Sequence, residues 1–154
     1  MNYQSLLAEA DQNGIDVVDY DFKSPRIKGL YCDGTVALSR ASTETEKACI
    51  LAEELGHYHT TVGDILDQSS AANRKQEMRA RVWAYQRGLQ LSDIVRAFKY
   101  GCRNRYELAD YLGVTEAFLQ DGIDYYKGKY GPYTKYGNYI IYFEPLGALE
   151  LLSE

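Results

Sequence analysis

The chain has 154 residues, of which 45% are hydrophobic and 25% charged, and a formal net charge of −5. That length fits one ordinary domain, the composition excludes wholesale disorder, and the acidic balance argues against a protein wrapped on nucleic acid. The three cysteines, Cys32, Cys49 and Cys102, form no CxxC pair, which argues against a disulfide framework or a cysteine zinc site and suits a reducing cytoplasm.

In chain order, Asn2 to Ala10 carries Leu6, Leu7 and Ala10 at helical spacing and meets a stop signal at Asn13-Gly14. Ile15 to Phe22 alternates apolar and acidic residues and predicts a strand. Leu30 to Cys32, Asp33-Gly34 and Thr35 to Leu38 predict a hairpin, because Asp-Gly supplies the positive φ angles of a tight primed turn. Thr43-x-x-Glu46 has capping-box form. The helix it opens carries Ala48, Leu51, Ala52 and Leu55 as an apolar stripe and ends before Gly63. A polar loop over Asp67 to Ala72 leads to a second long helix, Asn73 to Leu89, with Met78, Val82 and Tyr85 expected to face inward.

A shorter helix follows from Ser92 to Tyr100, then a pair, Tyr106 to Leu112 and Thr115 to Tyr126, around Gly113. Seven of the 15 tyrosines fall from Tyr125 onward, and the tail reads as one or two strands returning to the early sheet. The whole predicts a single α+β domain: a small antiparallel or mixed sheet packed against a helical bundle, with a helical C-terminal part at 92–126 and the tail at 127–154. No apolar run approaches the roughly 18 residues of a membrane span, and the N-terminus lacks a signal-peptide pattern. The expected location is the cytoplasm.

The only two histidines are His57 and His59, so histidine chemistry has one place to occur. Glu54-Leu55-Gly56-His57 matches the Glu and second His of the zinc-protease pattern H-E-x-x-H, with Glu53 in the first His position. Residues i and i+4 share a helix face, so Glu53 and His57 could grip one cation. Glu54, about 100° round the helix, is placed as general base toward the attacking water. His59 lies two residues from His57 and points about 160° away, so it cannot simply substitute. The plainer alternative for the Glu53–His57 pair is a surface ion pair.

The run CILAEELGHYHTTVGDILD, after GLYCDGTVALS and a T-E-T-E-K helix start, resembles the phage-type ImmA/IrrE metallopeptidases. The stretch Glu77-x-x-Ala80-Arg81-x-Trp83-Ala84 resembles the family's second helix, which carries a ligand Glu. The resemblance runs from about Ile15 to Tyr126 and implies a gluzincin-like zinc peptidase with its zincin-like core at 1–91. It implies Glu53, His57 and Glu77 as metal ligands, zinc as the cofactor and Glu54 as the base. It also implies a helix-turn-helix repressor of a prophage or mobile element as the substrate.

Glu53 departs from the family's histidine, and some members carry an acidic residue where this chain has Arg79. Glu77 has a second reading as an i, i+4 partner of Arg81. Asp64 and His59 are alternatives to Glu77 as the third ligand.

Two further features compete. Residues 73–105 carry nine Lys/Arg against two Asp/Glu, a local +7 that leaves −12 on the rest; this is either a solvated face or a docking surface. Glu107 to Thr115 has the Gly-turn form of a helix-turn-helix. The helix that would read DNA carries Glu116, Asp121 and Asp124 and no cation before Lys127, which argues against direct DNA binding. A relative that binds the repressor without cleaving it is the main alternative to an enzyme.

Overall fold

The computed structural model describes residues 1–60 and 70–152, with backbone alone at 70–72. The described chain is α+β: α1 Tyr3–Gln12, β1 Asp16–Tyr20, β2 Gly29–Cys32, β3 Thr35–Ser39, α2 Glu44–Thr60, α3 Ser70–Gly88, α4 Leu91–Tyr100, α5 Arg105–Leu112, α6 Glu116–Tyr130, β4 Tyr133–Tyr136, β5 Tyr139–Phe143 and β6 Leu146–Glu150. It divides into two compact units, Met1–Arg87 and Gly88–Glu154, where the sequence suggested one domain with a division at 91–92.

In the first unit Asn2 caps α1, its side chain accepting from Ser5 N at 3.0 Å. β2 and β3 form the expected hairpin, with Asp33 at φ 46° and Gly34 at φ 78° in the turn. β1 joins β3 in parallel, giving a mixed sheet of order β1-β3-β2. Val36 and Leu38 of the central strand are fully buried. The capping box of α2 is reciprocal: Glu46 N donates to Thr43 Oγ1 at 3.1 Å, and Thr43 N to Glu46 Oε1 at 3.4 Å. Ala48, Leu51, Ala52 and Leu55 bury the stripe expected of them. A Cβ on Gly29 would run into the Ile50 side chain, so the sheet edge needs glycine to let α2 approach.

The inward face of α3 meets the sequence expectation at Tyr85 and departs from it at Met78. Met78 is 50% exposed, while Ala80, Ala84 and Tyr85 are buried. The cause is a backbone contact between helices: a Cβ on Gly56 would run into the Ala80 carbonyl oxygen. Only small residues fit where two helices come that close, so alanine displaces the larger methionine from the packed face.

In the second unit, α4 ends at Gly101 (φ 116°) and α5 at Gly113 (φ 66°), both in the left-handed C-cap conformation that glycine allows. Leu108, Leu119, Ile123, Ile141 and Phe143 are buried there. The tail corrects the sequence reading. It forms three strands, and they pair with one another in an antiparallel sheet of order β4-β5-β6, instead of returning to β1–β3. Two tight connections make local pairing cheap in loop entropy compared with a crossing to a distant sheet. The tail's aromatic content then has a local use, because Phe143 stacks with Tyr126 and Tyr130 at 6.0 and 6.3 Å between ring centroids.

Candidate metal centre

The crossing at Gly56 places α2 residues 53 and 57 opposite α3 residues 77 and 81. His57 Nε2 lies 3.4 Å from Glu77 Oε2. One turn away, Arg81 Nε lies 3.5 Å from Glu53 Oε1. Glu77 is therefore held across the helix pair by His57, and the expected i, i+4 alternative is displaced: Arg81 bonds Glu53.

Glu53, His57 and Glu77 each offer a donor atom, all within 4.8 Å of one another, with Glu53 and His57 half-buried and Glu77 exposed. A tetrahedral ion with bonds of about 2.0–2.2 Å needs donors roughly 3.4 Å apart, a small rotamer adjustment from this arrangement. One imidazole with two carboxylates is a harder donor set than paired histidines, compatible with zinc and less selective for it. The residues thus fit a divalent cation. Among the described residues Arg81 is a discordant charge, since its guanidinium occupies a lone pair of Glu53 that an ion would use.

Glu54 is half-buried beside this trio. Burial raises its carboxyl above the ordinary carboxylate range; the nearby His57 pulls it down, and Glu53 and Glu77 push it up again. Cys49, one turn before Glu53, is buried with only its edge exposed.

The other described sequence candidates lie elsewhere. His59 faces away from the trio and stacks on Trp83, with ring centroids 5.0 Å apart and planes inclined at 22°. Its Nε2 lies 3.6 Å from Glu9 Oε1, and Glu9 also pairs with Arg87, which sits 5.5 Å over the Trp83 ring. This cluster ties α1 to α2 and α3 and gives His59 a structural task. Arg79 is exposed on α3. Asp64 lies outside the described residues. Sequence reasoning missed Arg81 as the partner of Glu53 and missed the Glu9–His59–Trp83–Arg87 cluster. The only available signal was that Trp83 and Arg87 sit at i, i+4 spacing on one helix.

The first unit thus sets an E-E-x-x-H helix against a second helix's Glu, beside a small mixed sheet. The family model for the IrrE N-terminal-like domain, Peptidase_M78, matches residues 10–123. The chain belongs to that family of metallopeptidases. Comparison with curated proteins gives no match. No described helix is long and apolar enough to cross a membrane.

Proposed function

We propose that the protein is a zinc-dependent endopeptidase of the cytoplasm that cleaves the helix-turn-helix repressor of a prophage or mobile element. The observation that carries the metal-dependent reading is the convergence of Glu53, His57 and Glu77 donor atoms within 4.8 Å across two helices. Membership of a metallopeptidase family supports the hydrolytic class. The repressor rests on the resemblance alone.

In this reading Glu53 and His57 hold the ion from α2 and Glu77 holds it from α3. When bound, zinc supplies Lewis acidity toward the scissile carbonyl. Glu54 takes a proton from the attacking water and returns it to the leaving amine. Its burial suits the first task, because a carboxyl raised above the ordinary range is a stronger base and takes the water's proton more readily than an exposed carboxylate. Arg81 would have to release Glu53 Oε1 for the ion to take it.

A second reading has one specific observation behind it. Glu53 stands where the family carries histidine, and it is already paired with Arg81. A chain that had lost its metal would keep this pair and bind the repressor without cutting it. Incubating the purified protein with the repressor under zinc-replete conditions separates the two. Cleavage that stops with 1,10-phenanthroline supports the enzyme; an intact repressor in a stable complex supports the binding relative.

A further inference from the structure

The second unit contains a cavity of about 400 Å³ where the end of α4 meets α5, lined by Tyr100, Cys102, Tyr106, Glu107, Asp110 and Tyr111. We propose that it is a binding site for an arginine side chain presented by a partner polypeptide.

The chain's local signals build the site. Gly101 in the left-handed conformation stops α4 and turns the backbone, with Gly101 N and Cys102 N both donating to Ala97 O. Asn104 then caps α5 through Glu107 N at 2.8 Å, and Glu107 Oε2 accepts from Arg103 N at 2.7 Å. These bonds fix the first turn of α5, from which Tyr106 and Glu107 project. Asp110 and Tyr111 follow on the next turn.

Three tyrosines remain exposed here, Tyr100 at 76%, Tyr106 at 69% and Tyr111 at 42%. The rings of Tyr100 and Tyr111 lie 4.9 Å apart at 35°. Tyr126 of the same unit is buried, whereas Tyr130, Tyr133 and Tyr136 are exposed without lining the cavity. A cluster of uncovered rings is costly to hydrate and is the residue type that protein interfaces use as anchors.

The lining fixes the charge of the guest. It contains two carboxylates and no cation. One oxygen of Glu107 is taken by the cap, and no described cation bonds the Asp110 carboxylate. The floor registers their field: burial raises the Cys102 thiol first, and Glu107 and Asp110 raise it further. Ring faces and carboxylates together favour a cation, and a planar guanidinium both stacks on tyrosine and takes a fork-shaped carboxylate contact. A nucleic acid strand would also find rings to stack on, but its phosphates would meet Glu107 and Asp110.

The test is amide-shift mapping of the full-length 15N-labelled protein, titrated with N-acetyl-Ala-Arg-Ala-amide. The control is the same peptide with citrulline, a neutral isostere. Arginine peptide should shift the amides of residues 100–111 and bind roughly fivefold or more tighter than citrulline peptide. Asp110→Asn and Tyr106→Ala alter exposed side chains, so the spectrum elsewhere reports that each variant is folded. Each should weaken the arginine peptide by a similar factor. Equal binding of the citrulline peptide would overturn the proposal. So would shifts confined to other residues, no shift at millimolar peptide, unchanged affinity in both variants, or the same shifts produced by oligothymidylate.

Discussion

A Cβ placed on Gly56 would run into the Ala80 carbonyl oxygen and come within 3.0 Å of the Ala80 Cα, so α2 and α3 meet in backbone contact at this glycine. The contact lies one residue before His57 and three after Ala80's neighbour in the trio, Glu77. Gly56→Ala should therefore destabilise the protein by about 1–3 kcal/mol, the usual range for overpacking a close contact. Urea unfolding would read that loss. Zinc affinity should fall with it, because separating the helices moves Glu77 from His57.

Glu54→Gln should retain metal and lose at least about 100-fold in peptide hydrolysis, since the amide keeps the shape and cannot accept the proton. Metal analysis and cleavage kinetics on one preparation check both halves. Equal turnover in the variant would remove Glu54 from the chemistry.

Arg81→Gln should tighten zinc binding by up to about fivefold. The guanidinium competes for Glu53 Oε1, and a part-exposed ion pair of this kind contributes on the order of 1 kcal/mol or less. Calorimetric titration of the metal-free protein reads the change. Weaker binding in the variant would mean that Arg81 supports the site by charge balance instead.

Tyr126 gives the second unit a pH limit. Its hydroxyl donates to Leu89 O at 2.7 Å, and burial first, then Tyr130, Tyr125 and Asp93, push its pKa up to about 12 from 10.0. A raised folded-state pKa keeps the protonated form favoured on folding. The associated stability is complete below pH 10 and is lost as pH rises through about 12. Tyr126→Phe should cost about 1–3 kcal/mol near neutrality by leaving a carbonyl unpaired. The difference between variant and parent should shrink through that alkaline window, as unfolding midpoints at stepped pH would reveal.

The local parts of this fold were legible because local chemistry determines them. Thr43 and Glu46 start α2, its apolar residues recur at helical spacing, and Asp33-Gly34 can make only a few kinds of turn. The shared Glu53–His57 face, with Glu54 beside it, follows from helix geometry alone. What escaped depends on distant partners. Met78 looks like core until Gly56 brings the α3 backbone so near that only Ala80 and Ala84 fit. The tail's strands carry no label for their partners, and they chose one another. Arg81 and Glu53 are 28 residues apart, and no periodicity within either helix pairs them.

The central claim is that Glu53, His57 and Glu77 form one metal site, and metal content tests it most directly. Purified protein equilibrated with zinc and then freed of unbound ion should carry roughly one ion per chain. His59→Ala should keep it, since that ring belongs to the Trp83 stack, while Glu53→Ala, His57→Ala and Glu77→Ala should each lose it. Absence of metal from the parent protein, or full occupancy in all three ligand variants, would contradict the account.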